Sequence, residues 1–149
     1  MVGIVEGTDK KDEIVILTAH YDHIGISFDG KINNGANDDG SGTVTVMELA
    51  EAFGQAAAEG KRPRRSILFM TVTGEEKGLL GSEWYSNHPL FPLANTVCDL
   101  NTDMTGRYDE EHMGTEQRDE AVLLVHRPIE CRIQGGEQRL QPRHAPAQP

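Results

Sequence analysis

Three short segments rich in branched apolar residues constrain the fold of this 149-residue chain more than any other feature. They are residues 13–19 (EIVILTA), 66–72 (SILFMTV) and 96–100 (TVCDL), and their nearly continuous apolar character predicts strands that are buried on both faces. Helical patterns at residues 43–58 and 79–87 separate these segments. The alternation of strand and helix predicts a mostly parallel sheet covered by helices on both faces.

The two helical patterns also predict which side chains face the sheet. The first pattern has Ser41 or Thr43 as its candidate cap. Its predicted buried face consists of Val44, Met47, Ala50, Phe53 and Ala57. On the second, shorter helix we expect both Trp84 and Tyr85 to lie in the core.

Composition excludes several classes of function. Lys and Arg number 14 and Asp and Glu 24, so the formal net charge is −10 and the surface repels nucleic-acid phosphates. No apolar run approaches the roughly 18–20 residues of a membrane-spanning helix. The first residues also lack the basic and apolar regions of a signal peptide. We therefore expect no nucleic-acid partner and no membrane-spanning segment, while localisation and oligomeric state stay open.

Acidic residues and histidines follow each predicted strand. They are His20, Asp22 and His23 after the first strand, Asp38 and Asp39 in the next loop, Glu75 and Glu76 after the second strand, and Asp103 after the third. Since the carboxyl ends of parallel strands meet at one edge of a sheet, these side chains should lie together. Clustered carboxylates repel one another unless a cation compensates them. A mixture of imidazole and carboxylate suits zinc, and the surplus of carboxylates suits two ions that share one of them.

The spacing within two of these groups has a chemical interpretation. In His20-x-Asp22 the carboxylate is placed to hold the far nitrogen of the imidazole, as partners of metal-bound histidines do. In Glu75-Glu76, neighbouring side chains on an extended segment point in different directions. One of them could ligate a metal while the other accepts a proton from water.

Simpler interpretations exist for some of these residues. Taken alone, Glu75 and Glu76 would be a solvated charge pair at a helix start, and Asp38-Asp39 would be an ordinary turn. Their positions after buried strands favour the metal-site interpretation. For His23 we keep the simpler one, an ordinary histidine at a strand end, because no ligand role is left for it.

Four motifs in a fixed order carry a family resemblance. They are AHYDHIG at 19–25, NNGANDDGSGT at 33–43, TGEEKGLLGSEWY at 73–85 and LNTDM at 100–104. With them the chain resembles, over roughly residues 2–107, the M28 family of di-zinc exopeptidases, which are mostly aminopeptidases. The resemblance implies a phosphorylase/hydrolase-like three-layer α/β/α sandwich, two zinc ions and a peptide substrate.

The resemblance also implies which residues hold the metal. It makes His20 the first zinc ligand and Asp38 the bridging carboxylate, with Asp39 in the same loop motif. It makes Glu76 and Asp103 further ligands, one to each of the two ions.

Two further residues take catalytic roles by the same resemblance. Glu75 is the implied general base, and Asp22 is the implied carboxylate that orients the ring of His20. The implied activity is hydrolysis of N-terminal peptide bonds through a metal-activated water.

The chain departs from the family pattern after Asp103, where the family supplies one more histidine ligand. The candidates for it are His112, His126 and His144. Residues 107–149 contain six Arg, no Lys and one convincing apolar run, at 121–125. We therefore expect a partial M28-type catalytic domain over residues 1–106, a truncated sandwich, and an atypical tail over residues 107–149 that is disordered or out of frame. The alternative function is a catalytically incomplete fragment with at most metal- or partner-binding activity.

Overall fold

The architecture rests on one five-stranded sheet with a helix on each face. The structure is a computed structural model that describes residues 1–106 and 123–124. Its strands are β1 (Val2–Val5), β2 (Lys10–His20), β3 (Gly25–Ile26), β4 (Ile32–Asn33), β5 (Arg65–Val72), β6 (Thr96–Thr102) and β7 (Leu123–Leu124). Its helices are α1 (Gly42–Ala58) and α2 (Leu80–Asn87), and short helical turns span Ala36–Ser41, Glu75–Lys77 and Leu93–Asn95.

The sheet is parallel at its centre and antiparallel at its edges. Its strand order is β1-β5-β2-β6-β7, and β2 lies parallel to both β5 and β6. Strands β1 and β7 pair antiparallel with β5 and β6. Because the three central strands run in the same direction, they all end at one edge of the sheet, here called the carboxyl edge, where His20 lies opposite Val72.

Alternating side chains of the central strands build two apolar layers. One layer faces α1 and contains Leu17, Ala19, Val46, Ile67 and Phe69. The other faces α2 and contains Ile14, Ile16, Leu68, Met70 and Tyr85. Both faces of the central strands are therefore covered, which is why their sequences are apolar almost without interruption.

The predicted fold class is confirmed, since a mostly parallel central sheet lies between helices as expected. The three predicted central strands are present, although β2 begins at Lys10 and β6 extends to Thr102. The predicted division of the chain between residues 106 and 107 stays a prediction. Apart from the short strand β7, residues 107–149 lie outside the described residues.

The predicted buried face of α1 is partly wrong. Val44 and Met47 are about half exposed, at 54% and 50%. The residues that meet the sheet are Val46, Leu49, Ala50 and Phe53. Their spacing of three, four and seven residues makes one continuous stripe, whereas a repeated step of three drifts around the helix.

The short helix α2 buries only one of its two aromatic residues. Tyr85 packs in the core, but Trp84 is 61% exposed and stacks on His88 with ring centroids 4.8 Å apart. Adjacent residues on a helix point about 100° apart, so a single-sided helix cannot bury both. None of the helices in the described part of the chain combines the length and the apolarity needed to span a bilayer.

Candidate metal centre

The most buried ring of the carboxyl edge belongs to His20, the last residue of β2, which is 3% exposed. Its main-chain N–H donates to Asp39 Oδ2 (3.1 Å), and its carbonyl accepts a bond from Thr43 Oγ1 (2.7 Å). On the ring, Nδ1 lies 3.1 Å from the carbonyl oxygen of Asp22. The other ring nitrogen, Nε2, is buried and has no hydrogen-bond partner among the described residues. The ring is thus fixed with one bare nitrogen.

Three carboxylates surround that bare nitrogen. The distances from His20 Nε2 are 3.2 Å to Asp38 Oδ1, 3.8 Å to Glu75 Oε2 and 4.0 Å to Asp103 Oδ1. Donor atoms of His20, Asp38 and Asp103 all lie within 4.8 Å of one another, and we call these three residues the first cluster. They come from the end of β2, the loop before α1 and the residue after β6, as the parallel topology requires.

The buried carboxylate of Asp39 joins the segments that carry the first cluster. This residue is 1% exposed and accepts main-chain N–H bonds from His20 (3.1 Å), Gly42 (2.9 Å) and Met104 (3.2 Å). Gly42 is the first residue of α1, so Asp39 satisfies one of the free N–H groups at this helix start. Of the two candidate caps, Ser41 stands at the N-cap position but makes no capping hydrogen bond, and Thr43 lies inside α1.

The segment after β5 is held by Asp22. Gly74 adopts a left-handed conformation (φ 71°) and is followed by the turn that carries Glu75 and Glu76. Asp22 accepts main-chain N–H bonds from Glu75 (3.2 Å) and Glu76 (3.3 Å). Burial alone would raise the pKa of Asp22, but these N–H donors lower it below its usual value. Its carboxylate lies 3.7 Å from His20 Nδ1, farther than its own carbonyl oxygen, so the histidine ring is held mainly through the main chain.

A second group of donors lies beside the first. His23 Nδ1 is 2.7 Å from Glu76 Oε1, and donor atoms of His23, Asp38 and Glu76 lie within 4.8 Å of one another. We call these three residues the second cluster, and Asp38 belongs to both clusters. Our simple interpretation of His23 as an ordinary strand-end residue did not anticipate this position. The only sequence signal was its place three residues after His20, in a loop that leaves a buried strand.

Burial and like charges shift the pKa values of the site. Burial raises the pKa of Glu75, and the charges of Glu76, Asp103 and Asp38 add to the rise. Burial likewise raises the pKa of Asp103, with Asp38 and Glu76 adding to it. Burial lowers the pKa of His20, but the acidic groups around the ring outweigh that effect, so this pKa is raised overall. The pKa values of the two carboxyl groups and of the imidazole are thus all raised, which indicates an excess of negative charge around them.

The residues present fit a zinc ion. Among the described residues, no lysine or arginine forms an ion pair with the carboxylates of either cluster. Four buried atoms of the two clusters that could ligate a metal make no hydrogen bond within the described part of the chain. They are His20 Nε2, His23 Nδ1, Glu76 Oε1 and Asp103 Oδ1. A bare imidazole nitrogen beside two carboxylates is a donor set that zinc takes in proteins.

The structure brings all the site residues predicted from the sequence to this one edge. They are His20, Asp22, Asp38, Glu75, Glu76 and Asp103. The three histidines considered as the last ligand, His112, His126 and His144, lie outside the described residues. Their assignment stays a prediction.

Curated relatives with peptidase names match most of the chain. A probable glutamate carboxypeptidase of Arthroderma benhamiae is 38% identical over 104 residues, which are 69% of this chain and 13% of that protein. A probable glutamate carboxypeptidase of Arabidopsis thaliana is 33% identical over 131 residues, or 87% of this chain and 18% of that protein. A probable zinc metalloprotease of Leptosphaeria maculans is 31% identical over 121 residues, or 80% of this chain and 25% of that protein. The chain thus spans a quarter or less of the length of these relatives.

A solved structure and a family model agree with the relatives. The aminopeptidase from Aneurinibacillus sp. strain AM-1 superposes with a TM-score of 0.55 at 26% sequence identity, over 70% of this chain and 24% of that one. The model described as peptidase family M28 matches residues 1–129. Because this model matches most of the chain and the relatives and the solved structure carry peptidase names, the chain belongs to peptidase family M28.

Proposed function

We propose that this protein is a zinc-dependent exopeptidase, and more narrowly an aminopeptidase, that hydrolyses N-terminal peptide bonds. The observation that carries the proposal is the convergence of Asp38 and Asp103 on the bare Nε2 of His20, with the carboxylate of Glu75 beside it. Membership of family M28 supports a peptidase, and the name of the structural neighbour supports an aminopeptidase.

The two clusters would hold two zinc ions. The first cluster would hold one ion, and Glu76 together with the shared Asp38 would contribute to the second. Bound zinc supplies the Lewis acidity that makes water a nucleophile near neutral pH and polarises a peptide carbonyl. Two ions are proposed because Asp38 lies in both clusters, as a bridging carboxylate would.

Glu75 is the proposed general base. It belongs to neither cluster, although its Oε2 lies only 3.8 Å from His20 Nε2. Its side chain is 34% exposed, so a substrate and the attacking water can reach it. Glu75 would accept a proton from the attacking water and pass it to the departing amine.

Asp22 is proposed as a positioning residue. Its two carboxylate oxygens accept the N–H groups of Glu75 and Glu76, so it fixes the base and a metal ligand with one side chain. Through its carbonyl oxygen it also holds the ring of His20. We therefore expect its loss to affect both metal binding and proton transfer.

Hydrolysis of a matched pair of substrates tests the proposal. We expect an aminoacyl-anilide to be cleaved and its N-acetylated counterpart to resist, with activity lost to a chelator and restored by zinc. Two relatives named probable glutamate carboxypeptidase make the opposite end the competing outcome. Cleavage of an N-blocked peptide with a C-terminal glutamate, without cleavage of the anilide, would replace the aminopeptidase proposal. Zinc binding without any hydrolysis would favour the catalytically incomplete alternative.

Replacement of the base separates chemistry from metal binding. Glu75→Gln removes the proton acceptor but keeps the shape of the side chain, so turnover should fall at least ~100-fold. Zinc content, measured by native mass spectrometry, should equal that of the parent because Glu75 lies outside both clusters. Glu83→Gln, at an exposed position on α2, is the control and should retain full turnover. Equal turnover of Glu75→Gln and parent would remove Glu75 from this role.

A further inference from the structure

His23 and Glu76 face each other at a distance that separates two kinds of contact. His23 Nδ1 lies 2.7 Å from Glu76 Oε1, and both atoms are buried. Two ligands of one tetrahedral zinc ion, with bonds of roughly 2.0–2.1 Å, lie about 3.3 Å from each other. A hydrogen bond between a nitrogen and an ionised oxygen spans about 2.7–2.9 Å. The short distance therefore favours a hydrogen-bonded pair over two ligands of one ion.

The first cluster provides the contrast. His20 Nε2 lies 3.2 Å from Asp38 Oδ1, which is close to the separation of two ligands of one zinc ion. Both histidines face acidic groups at the same edge of the sheet, but only the pair in the first cluster has the spacing of two metal ligands.

A proton has to lie between His23 Nδ1 and Glu76 Oε1. Two lone pairs at this distance would repel each other, and an ionised carboxylate only accepts hydrogen bonds, so the proton belongs to Nδ1. The two groups are not aligned, since neither atom makes a hydrogen bond among the described residues. The last torsion of each side chain is soft, so a small rotation of the ring or of the carboxylate aligns them at little cost.

The main chain of Glu76 is fixed, whereas its carboxylate depends on the side-chain torsions. Asp22 Oδ2 accepts the N–H of Glu76 (3.3 Å), which holds the start of the side chain. Several torsions still separate that point from the carboxylate, and a bond at Oε1 removes most of their freedom. The other carboxylate oxygen then remains for a metal, as in other sites where a ligating carboxylate is itself hydrogen-bonded.

His23 is held in turn by the loop that carries Asp38. At Gly35 (φ 65°) an added Cβ would lie 2.8 Å from His23 Cβ and 2.9 Å from His23 Cγ, so the main chain of this glycine packs directly against the histidine. The carbonyl of the same glycine accepts the N–H of Gly40 (2.8 Å), which closes the loop around Asp38. His23 thus joins the loop of one proposed ligand to the turn of another.

We infer that His23 is a positioning residue for Glu76, whose carboxylate it holds through an Nδ1–H donor at Oε1 without binding the metal itself. The inference rests on the proposed two-zinc function, in which Glu76 is a ligand of the second ion. Two consecutive residues then hold the turn after β5, Asp22 at its main chain and His23 at a side chain.

A zinc titration of the full chain, followed by native mass spectrometry, tests the inference without an activity assay. At high zinc we expect two ions on the parent and on His23→Ala, with the second ion bound roughly 10–100-fold more weakly by the variant, the loss typical of an outer-sphere partner. His23→Asn should restore most of the affinity, because its amide N–H takes the place of Nδ1–H. His23→Gln, whose amide lies one carbon farther out, should restore less.

Two further variants separate the hydrogen bond from the space that the ring fills. His23→Leu fills the space without a donor and should lose as much affinity as His23→Ala. His88→Ala removes an exposed histidine that stacks on Trp84 and should leave both affinities unchanged. The first ion, which the His23 variants keep, also reports that the chain is folded, since the first cluster needs three separate segments.

Several results would overturn the inference. An unchanged affinity of His23→Ala for the second ion would show that Glu76 does not need this bond, and the proposed function would stand. Loss of the second ion by the Ala, Leu and Asn variants alike would make His23 a ligand. Affinity kept by His23→Leu and lost by His23→Ala would reduce the role of the ring to packing. No zinc on the parent would overturn the proposed function itself, and the inference with it.

A measurement on the unaltered chain is independent of any folding defect. In a spectrum of the histidine ring nitrogens, Nδ1 of His23 should show a directly bonded proton both before and after the second equivalent of zinc. Loss of that proton as the second ion binds would contradict positioning and indicate direct ligation.

Discussion

The two edges of the central sheet treat charge in opposite ways. At the edge where β2 and β5 begin, acids are paired with bases: Arg64 binds Asp9 at 2.7 Å, and Arg65 binds Glu13 at 2.6 Å. At the carboxyl edge, five acidic side chains surround two imidazoles, and in the described part of the chain none of them pairs with a lysine or arginine. The same strands thus have balanced charge at one end and uncompensated charge at the other.

This difference is more informative than the number of acidic residues. Exposed ion pairs are common in folded proteins and contribute little to stability. The edge where β2 and β5 begin, here called the paired edge, therefore needs no functional explanation. Partly buried acids without a counter-charge raise one another's pKa and cost free energy in folding. A protein keeps such an arrangement when a bound cation balances the charge. The carboxyl edge, whose described acids have no lysine or arginine partner, is therefore the functional edge.

The largest effect is expected from Asp38→Ala, because this carboxylate belongs to both clusters. Zinc bound to the chain should fall from two ions to none at micromolar zinc, and turnover should be lost with it. Native mass spectrometry gives the count, and Asp29→Ala, in the exposed turn before β4, is the control. Full occupancy of the variant would refute a shared ligand.

Gly42→Ala tests how closely the main chain of α1 packs against Asp39 at the carboxyl edge. An added Cβ would overlap the carboxylate of Asp39 and the carbonyl oxygen of Thr102, both of which are buried. We expect the free energy of unfolding to fall by about 1–3 kcal/mol, as for other overpacked sites, and zinc binding to weaken with it. Urea unfolding measures the change.

The control for this variant lies in the same helix. At Gly54 an added Cβ meets nothing within 4 Å, so Gly54→Ala should raise stability by roughly 0.5–1 kcal/mol through helix propensity. If both alanine variants were stabilised alike, close packing around Asp39 would be disproved.

A smaller and more local effect is expected from Gly35→Ala. The added Cβ would press on His23, which lies 2.7 Å from the proposed zinc ligand Glu76, so the second zinc ion should bind ~10-fold more weakly while the first is retained. Gly30→Ala is the matched control because Gly30 also has a positive φ (80°) but open space around it. Zinc titration followed by native mass spectrometry resolves the two steps. Equal losses in both variants would trace the effect to backbone strain and not to His23.

The smallest effect belongs to the paired edge. The hydrogen bond from Arg64 is the main reason that the pKa of Asp9 falls from 3.8 to about 2. A lowered folded-state pKa stabilises the fold above pH 3.8, and this contribution disappears as the pH falls through about 2. Because both side chains are exposed, Asp9→Asn should barely move the urea midpoint at pH 7. A large, salt-insensitive loss would show that this edge is not a simple surface pairing.

The sequence predicted the strands and the site for the same reason. Strands buried on both faces must be apolar throughout, so runs that contain residues such as Leu17 and Phe69 predict them. Polar residues directly after parallel strands lie at one edge of the sheet. Burial on helices was harder to predict. Val44 and Val46 are equally apolar, and only the packing of α1 on the sheet decides that Val46 is buried.

Residues in loops were the least predictable part of the site. The contacts of Asp22 and His23 depend on how the loop after β2 turns back toward Glu76, and no period in the sequence encodes that path. A carboxylate two residues after a histidine was therefore expected on the ring, but its oxygens accept the N–H groups of Glu75 and Glu76.

The buried carboxylate of Asp39 has a consequence for how the centre loads its ions. The three N–H groups that it accepts tie the end of β2, the start of α1 and the segment after β6 to one another without using any metal-ligating atom of either cluster. The conformational entropy of assembling these segments is therefore lost during folding and not when zinc arrives. Ions should then enter and leave a site of constant shape, so that one divalent metal can be exchanged for another by dialysis, without a refolding step.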